Sequence, residues 1–148
     1  MIWKPNVTVA AVIEQGGKFL LVEEETQQGL LFNQPAGHLE ANESLVNATI
    51  RETLEESAYQ FQPQHLLGIY RWHAASSDIT YLRFAFTGSL LAHYPERTLD
   101  EGIVRAVWLS PDEIRASQAR HRSPLILRCV EDYLAGKRYP LELITHYD

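Results

Sequence analysis

Cationic side chains, cysteine and long apolar runs are all scarce in this sequence, and each shortage removes a class of protein. Among 148 residues, Lys and Arg number 13 against 19 Asp and Glu, a formal charge of −6. A binder of nucleic-acid backbone needs a basic stripe to displace counterions, so nucleic acid is not an expected partner. A phosphorylated small molecule is not excluded, because a bound divalent cation can supply the missing positive charge. One cysteine, Cys129, cannot form an internal disulfide. A reducing compartment, by default the cytoplasm, is therefore expected. The longest apolar runs, such as Val9 to Ile13, fall far short of the ~20 residues that cross a bilayer. The opening Met1-Ile2-Trp3-Lys4-Pro5-Asn6 has no apolar signal core. No membrane association is expected.

What is present suits a folded domain: 45% hydrophobic and 22% charged residues. No repeat, low-complexity tract or linker divides the chain, so a single domain over residues 1–148 is expected. Val7 to Ile13 and Lys18 to Glu23 read as strands of a hairpin turned by Gln15-Gly16-Gly17. Leu30-Leu31-Phe32 is a further short apolar piece. Leu66 to His73, Thr80 to Leu90 and Ile103 to Leu109 are strand candidates. In the second of these Leu82, Phe84 and Phe86 alternate with Tyr81, Arg83 and Ala85, the period of a half-buried strand. Between the strand groups the period changes. Asn42 can cap a helix with Glu43 in its first turn, Val46, Ile50 and Leu54 form its packed stripe, and Pro63 bars its continuation. Ser110-Pro111-Asp112-Glu113 is a capping box. Ser123-Pro124 opens a last helix with Ile126, Val130 and Leu134 as its stripe and Gly136 at its end. Cys129 lies near that stripe and reads as a buried small hydrophobe. The order of elements predicts a mixed α/β sandwich. No apolar stripe is left over, so a monomer is expected.

The central helix carries the chemistry. Glu52, Glu55 and Glu56 fall within an arc of about 100° on one face. They repel one another at i,i+3 and i,i+4, by ~0.2–0.5 kcal/mol per pair, and stand at the helix end where the dipole favours cations. Charge runs usually just face water. A divalent cation would reverse both penalties, and carboxylates without neighbouring His or Cys suit Mg²⁺ or Mn²⁺ better than zinc. Upstream, Pro35-Ala36 lead into Gly37, where a sharp backbone turn is expected. From Gly37 to Ala58 five glutamates are offset by Arg51 alone, so this stretch holds −4 of the −6.

These residues resemble the Nudix box, G-x5-E-x7-R-E-U-x-E-E-x-G-U, without insertion: Gly37, Glu43, Arg51-Glu52 and Glu55-Glu56. Thr53 stands in place of the usual aliphatic residue, Ala58 in place of the glycine and Tyr59 in place of the last aliphatic residue. The resemblance implies a Nudix-type α/β/α sandwich with a mixed sheet, and a hydrolase of phosphoanhydrides. Asn33 to Glu40, Tyr81 to Phe84, Arg122 to Leu125 and Arg138 to Glu142 extend it to a phosphatase branch of the family. That branch implies Mg²⁺-dependent release of phosphate from nucleoside di- and triphosphates and from thiamine-type pyrophosphates, including hydroxymethylpyrimidine pyrophosphate.

By this resemblance Glu52, Glu55 and Glu56 bind the metal, and Arg51 pairs with Glu43 to keep helix and loop in register. Glu43 serves either this pairing or direct metal contact. Gly37 provides the turn, with its carbonyl a further metal ligand. The base that activates water is Glu56 or a carboxylate from a distant loop, Glu101. Arg83 would clamp a terminal phosphate, its plainer alternative being an arginine on the solvated strand face. Trp72 would stack on a base, the alternative being ordinary packing. A catalytically silent Nudix-like domain that binds a nucleotide is the competing reading; the departures at Thr53 and Ala58 favour it and the intact glutamates oppose it.

Overall fold

The computed structural model describes residues 1–148. Its strands are β1 (Asn6–Val12), β2 (Glu14–Gln15), β3 (Lys18–Thr26), β4 (Gly29–Asn33), β5 (Ala36–His38), β6 (Tyr59–Ala74), β7 (Ile79–His93), β8 (Ile103–Leu109) and β9 (Tyr139–Pro140). The helices are α1 (Leu45–Ser57), α2 (Pro111–Ala116) and α3 (Leu125–Leu134), with short 3₁₀ turns at Gln118–Arg120 and Leu141–Leu143. One sheet has the order β5-β1-β7-β6-β9; the other is built on β3, with β8 along one side and β2 then β4 along the other. The first sheet is mixed, because β1 runs parallel to β7 while its other neighbours are antiparallel.

The expected first hairpin exists only at its tip. Gly16 and Gly17 both take positive φ, the backbone of a two-residue hairpin turn. They join β2 to β3, however, while β1 pairs with β5 and β7. The chain changes sheet at Ile13, whose carbonyl still accepts from the Leu20 N–H at 2.9 Å. Two buried clusters follow from strand alternation. Val9, Ala11, Ile13 and Leu20 pack with Ala48 of α1, whereas Ala10, Val12, Phe19 and Leu21 pack with Ile126, Cys129 and Val130 of α3. The helices therefore cover opposite faces, giving an α/β/α sandwich.

Helix α1 differs from expectation at both ends and on its buried face. Ser44, not Asn42, is the N-cap, accepting from the Asn47 N–H, and Asn42 takes a left-handed φ of 65° in the loop before it. The helix ends at Ala58, with φ 63° and ψ 16°, well before Pro63. Pro63 instead sits in β6 at a register shift, where a missing N–H is tolerated. Val46, Ile50 and Leu54 are only half-buried; the buried residues are Ala48, Thr49, Glu52, Thr53 and Ser57. The hydroxyls of Thr49, Thr53 and Ser57 each donate to the carbonyl four residues back, at 2.6–2.8 Å. Short side chains that satisfy themselves locally can face the sheet without stranding a polar group. Helix α2 starts as expected, with Ser110 and Glu113 forming the reciprocal capping box; α3 starts one residue later than expected, with Pro124 as its N-cap and the Ser123 hydroxyl accepting from the Leu125 N–H just before it. The sequence-level strands underestimate β6 and β7, which run on as one long antiparallel ribbon, and miss the short β5 and β9.

Candidate active site

Edge strand β5 lies antiparallel to β1, and its central Gly37 pairs with Val9, whose side chain faces α1. Gly37 is not among the glycines with positive φ, so a sharp turn is not what requires it. A Cβ at this position would lie 2.1 Å from the Glu52 Cδ and 2.3 Å from either carboxyl oxygen. Glycine is needed because the Glu52 carboxyl rests where a side chain would be.

Around that carboxyl, Arg51 acts as a hub. Its Nε and Nη2 donate to the two oxygens of Glu43 at 3.0 and 2.8 Å, and its Nη1 donates to Glu52 at 2.7 Å and Glu55 at 2.9 Å. Nη2 also donates to the His38 carbonyl at 3.1 Å, and the Glu40 carboxylate lies 3.5 Å away. The planar fork is what permits this many partners from one side chain. Glu43 accepts in turn from the Glu40 N–H at 2.8 Å, closing the loop onto the helix. The Arg51 hydrogen bonds hold the Glu43 carboxyl below the usual carboxylate range, against the opposing effect of burial. The same contacts push the arginine's own pKa upward.

Three carboxylates, from Glu52, Glu55 and Asp100, bring oxygens within 4.8 Å of one another. Burial pushes the Glu52 carboxyl up, Arg51 pulls it down, and Glu55 and Asp100 raise it again, with a net upward shift. Asp100 is delivered by the segment between β7 and β8, which main-chain bonds fasten to the last turn of α1. The Asp100 N–H donates to the Glu55 carbonyl at 3.0 Å, and the Tyr94 N–H donates to the Ala58 carbonyl at 2.9 Å. Glu101, its neighbour, is exposed in the following turn and outside the cluster. Glu101 is the expected candidate base, whereas Asp100, which the sequence does not single out, joins the acidic cluster. Two consecutive carboxylates point differently, and only the backbone path decides which one faces the helix.

Glu56 stands apart from that triple. Its carboxyl accepts from the Ala36 N–H at 3.0 Å. Burial pushes its pKa up to about 8, the Ala36 bond working against this and nearby Glu52, Glu24 and Asp100 reinforcing it. Glu52 and Glu56 both line a cleft of about 660 Å³, together with Gly37, Arg83, Trp72 and Tyr81. Trp72 and Tyr81 are a cross-strand pair with stacked rings, 5.6 Å between centroids and 17° between planes. Arg83 is not on a solvated strand face: it is 6% exposed. Ala85 is buried as well, because α3 covers this side of β7 while α1 covers the other. The Arg83 guanidinium donates to Gln34 Oε1 at 2.9 Å and Asn33 Oδ1 at 3.0 Å, and lies 3.9 Å from the Cys129 sulfur. Asn33 and Gln34 are additions to the site that periodicity could not supply, since both lie at the end of β4 and in the loop after it. The donor set near Glu52 is oxygen only, crowded and mutually repulsive, which fits a hard divalent cation.

The chain belongs to the NUDIX domain family, whose model matches residues 3–129. It is a Nudix hydrolase, a class that acts on small phosphorylated molecules with the help of divalent metals. Phosphatase NudJ of Escherichia coli K12 is 42% identical over 147 residues, covering 99% of this chain and 95% of that protein. A solved NUDIX hydrolase from Nitrosomonas europaea is 58% identical with a TM-score of 0.95, covering 97% of this chain and 98% of its own. A MutT NUDIX hydrolase from Burkholderia pseudomallei, at 16% identity and a TM-score of 0.74 over 88% of this chain and 98% of its own, shares the fold.

Proposed function

We propose that the chain is a Mg²⁺-dependent phosphatase of the NudJ kind. Its substrates would be nucleoside di- and triphosphates and thiamine-type pyrophosphates, including thiamine pyrophosphate and hydroxymethylpyrimidine pyrophosphate. The observation that carries this reading is the Glu52–Glu55–Asp100 cluster beside a cleft lined by a buried arginine and an aromatic pair. Mg²⁺, or Mn²⁺ in its place, would be held by Glu52 and Glu55 with Asp100 as the added ligand; when bound it neutralises charge on the diphosphate oxygens and polarises the attacked phosphorus.

The chain's own residues do the rest. Glu56 lines the cleft yet lies outside the triple, so it takes the place of base in preference to Glu101, which does not line it. The Ala36 N–H fixes the orientation of that carboxyl. Arg51 and Glu43 position the glutamates and need not touch substrate. Arg83 receives a phosphate oxygen, and Trp72, one face already covered by Tyr81, offers the other to a heteroaromatic ring. The silent-domain reading loses a main support, since Ala58 holds the left-handed backbone that glycine would have given.

The test is phosphate release from nucleoside di- and triphosphates, thiamine pyrophosphate and hydroxymethylpyrimidine pyrophosphate, with and without Mg²⁺. Wild type should turn over members of this panel only with the metal, and Glu55→Gln should lose ~10²-fold or more. Absence of metal-dependent turnover across the panel would overturn the phosphatase reading; full activity in Glu55→Gln would overturn the metal role.

A further inference from the structure

Arg83 is the one arginine among the buried residues, yet it lacks the carboxylate partner that several more exposed arginines have. Arg51 meets four carboxylates, Arg105 and Arg120 share Glu23, Arg122 meets Glu24 and Arg128 meets Asp132. The partners of Arg83 are two amide oxygens and a thiol. A buried charge without a counter-charge costs several kcal/mol unless something compensates it. Amide dipoles do so only in part.

The two amides differ in whether a carboxylate could replace them. Gln34 is 1% exposed and fully engaged: its Nε2 donates to the Ile126 carbonyl of α3 at 2.9 Å, and its Oε1 accepts from Arg83. Flipping the amide would set donor against donor, so its orientation is fixed. Asn33 accepts from Arg83 through Oδ1 alone and lines the cleft. Asn33→Asp would be isosteric, would break no bond from Arg83, and would give the guanidinium its missing anion. Judged by the pairing with Arg83 alone, aspartate is the better partner there.

We propose that Asn33 and Gln34 are positioning residues that aim Arg83 at the cleft while leaving its positive charge uncompensated for a phosphate oxygen. This rests on the phosphatase reading for the role of the cleft. A neutral cradle gives a fixed donor fork whose electrostatic attraction is undiminished until an anionic ligand arrives. A carboxylate in the cradle would compete with that ligand from inside the protein.

The test uses the whole chain and Asn33→Asp, with a non-hydrolysable diphosphate analogue, methylenediphosphonate, titrated calorimetrically in saturating Mg²⁺, and thermal unfolding as the control. Asn33→Asp should melt at the wild-type temperature or above it, yet bind the diphosphonate at least tenfold more weakly. On whichever panel substrate turns over, its KM should rise tenfold with kcat within threefold. Gln34→Leu, which frees the fork to wander, should also raise KM. A variant that melts higher and binds the diphosphonate within twofold of wild type would show a purely structural cradle and overturn the proposal. So would failure of wild type to bind the diphosphonate. Intact binding with no turnover of any substrate would instead count against the phosphatase reading, while the tenfold contrast in binding would still support the cradle.

Discussion

Gly37→Ala distinguishes a glycine kept for its backbone from one kept for space. The added Cβ would stand 2.1 Å from the Glu52 Cδ, and ordinary contact begins at 3.4 Å, so the carboxyl must retreat by 1.3 Å. The three nearest atoms all belong to the Glu52 carboxyl, the flexible end of a side chain, which yields first. The retreat sacrifices the 2.7 Å bond from Arg51, whose side chain is 24% exposed. That bond sits in a partly screened network, so the loss is about 1–2 kcal/mol. For a chain of this length the melting temperature should fall by roughly 2–8 °C. The functional loss is larger, since a shift of about 1 Å in a positioned group can cost ~10²-fold in rate. Differential scanning calorimetry and metal-dependent phosphate release give the two numbers. The decisive comparison repeats the substitution in a Glu52→Ala background. There the obstructing side chain is gone, and Gly37→Ala should cost less than ~0.5 kcal/mol. An equal cost in both backgrounds would mean that the backbone at Gly37, not the Glu52 carboxyl, requires glycine, and the steric reasoning would fail.

Other perturbations test the supports around the site. Arg51→Met leaves several carboxylates without their shared cation and should destabilise by ~3 kcal/mol or more in urea unfolding, with Arg51→Lys recovering little because one ammonium cannot reproduce the fork. Asp100→Asn should weaken Mn²⁺ binding, followed by paramagnetic resonance, whereas Glu101→Gln should leave it within twofold; the reverse pattern would overturn the placing of Asp100 in the acidic cluster. Buried Glu23 has its carboxyl lowered first by the Arg105 hydrogen bond, with Arg120 adding to it against burial. Its contribution is therefore present above the unfolded carboxylate pKa and is lost as pH falls through the lowered folded value. Glu23→Gln should thus be less stable than wild type at pH 7, with the gap closing at acid pH.

Features of local spacing are the most legible in the sequence. The shared helix turn of Glu52, Glu55 and Glu56 and the capping pair of Ser110 with Glu113 need no tertiary information, whereas the meeting of Glu52 and Glu55 with Asp100 does. Hydropathy does not find the buried face of α1, because it ranks Val46, Ile50 and Leu54 above Thr49, Thr53 and Ser57, whose hydroxyls satisfy themselves along the helix. The solvated-face alternative for Arg83 follows from alternation, which assumes one covered face; with helices on both faces of the sheet, alternation carries no such information. A turn at Gly37 is the natural expectation because the usual reason for glycine is conformational, and the nearness of Glu52 appears only when β5 and α1 are set side by side. Asn33 and Gln34 drew attention only as part of a resemblance, since their partner lies about fifty positions further along the chain.

The two main-chain bonds that fasten Tyr94 to Ala58 and Asp100 to Glu55 have a consequence for how this scaffold can diversify. Between those fastenings lie Pro95, Glu96, Arg97, Thr98 and Leu99, the first four of them exposed. Because amide and carbonyl groups do the fastening, the identity of the intervening side chains does not set where Asp100 stands. Substitutions at the exposed Pro95 to Thr98 should therefore leave the third carboxylate where it stands, since neither fastening passes through their side chains.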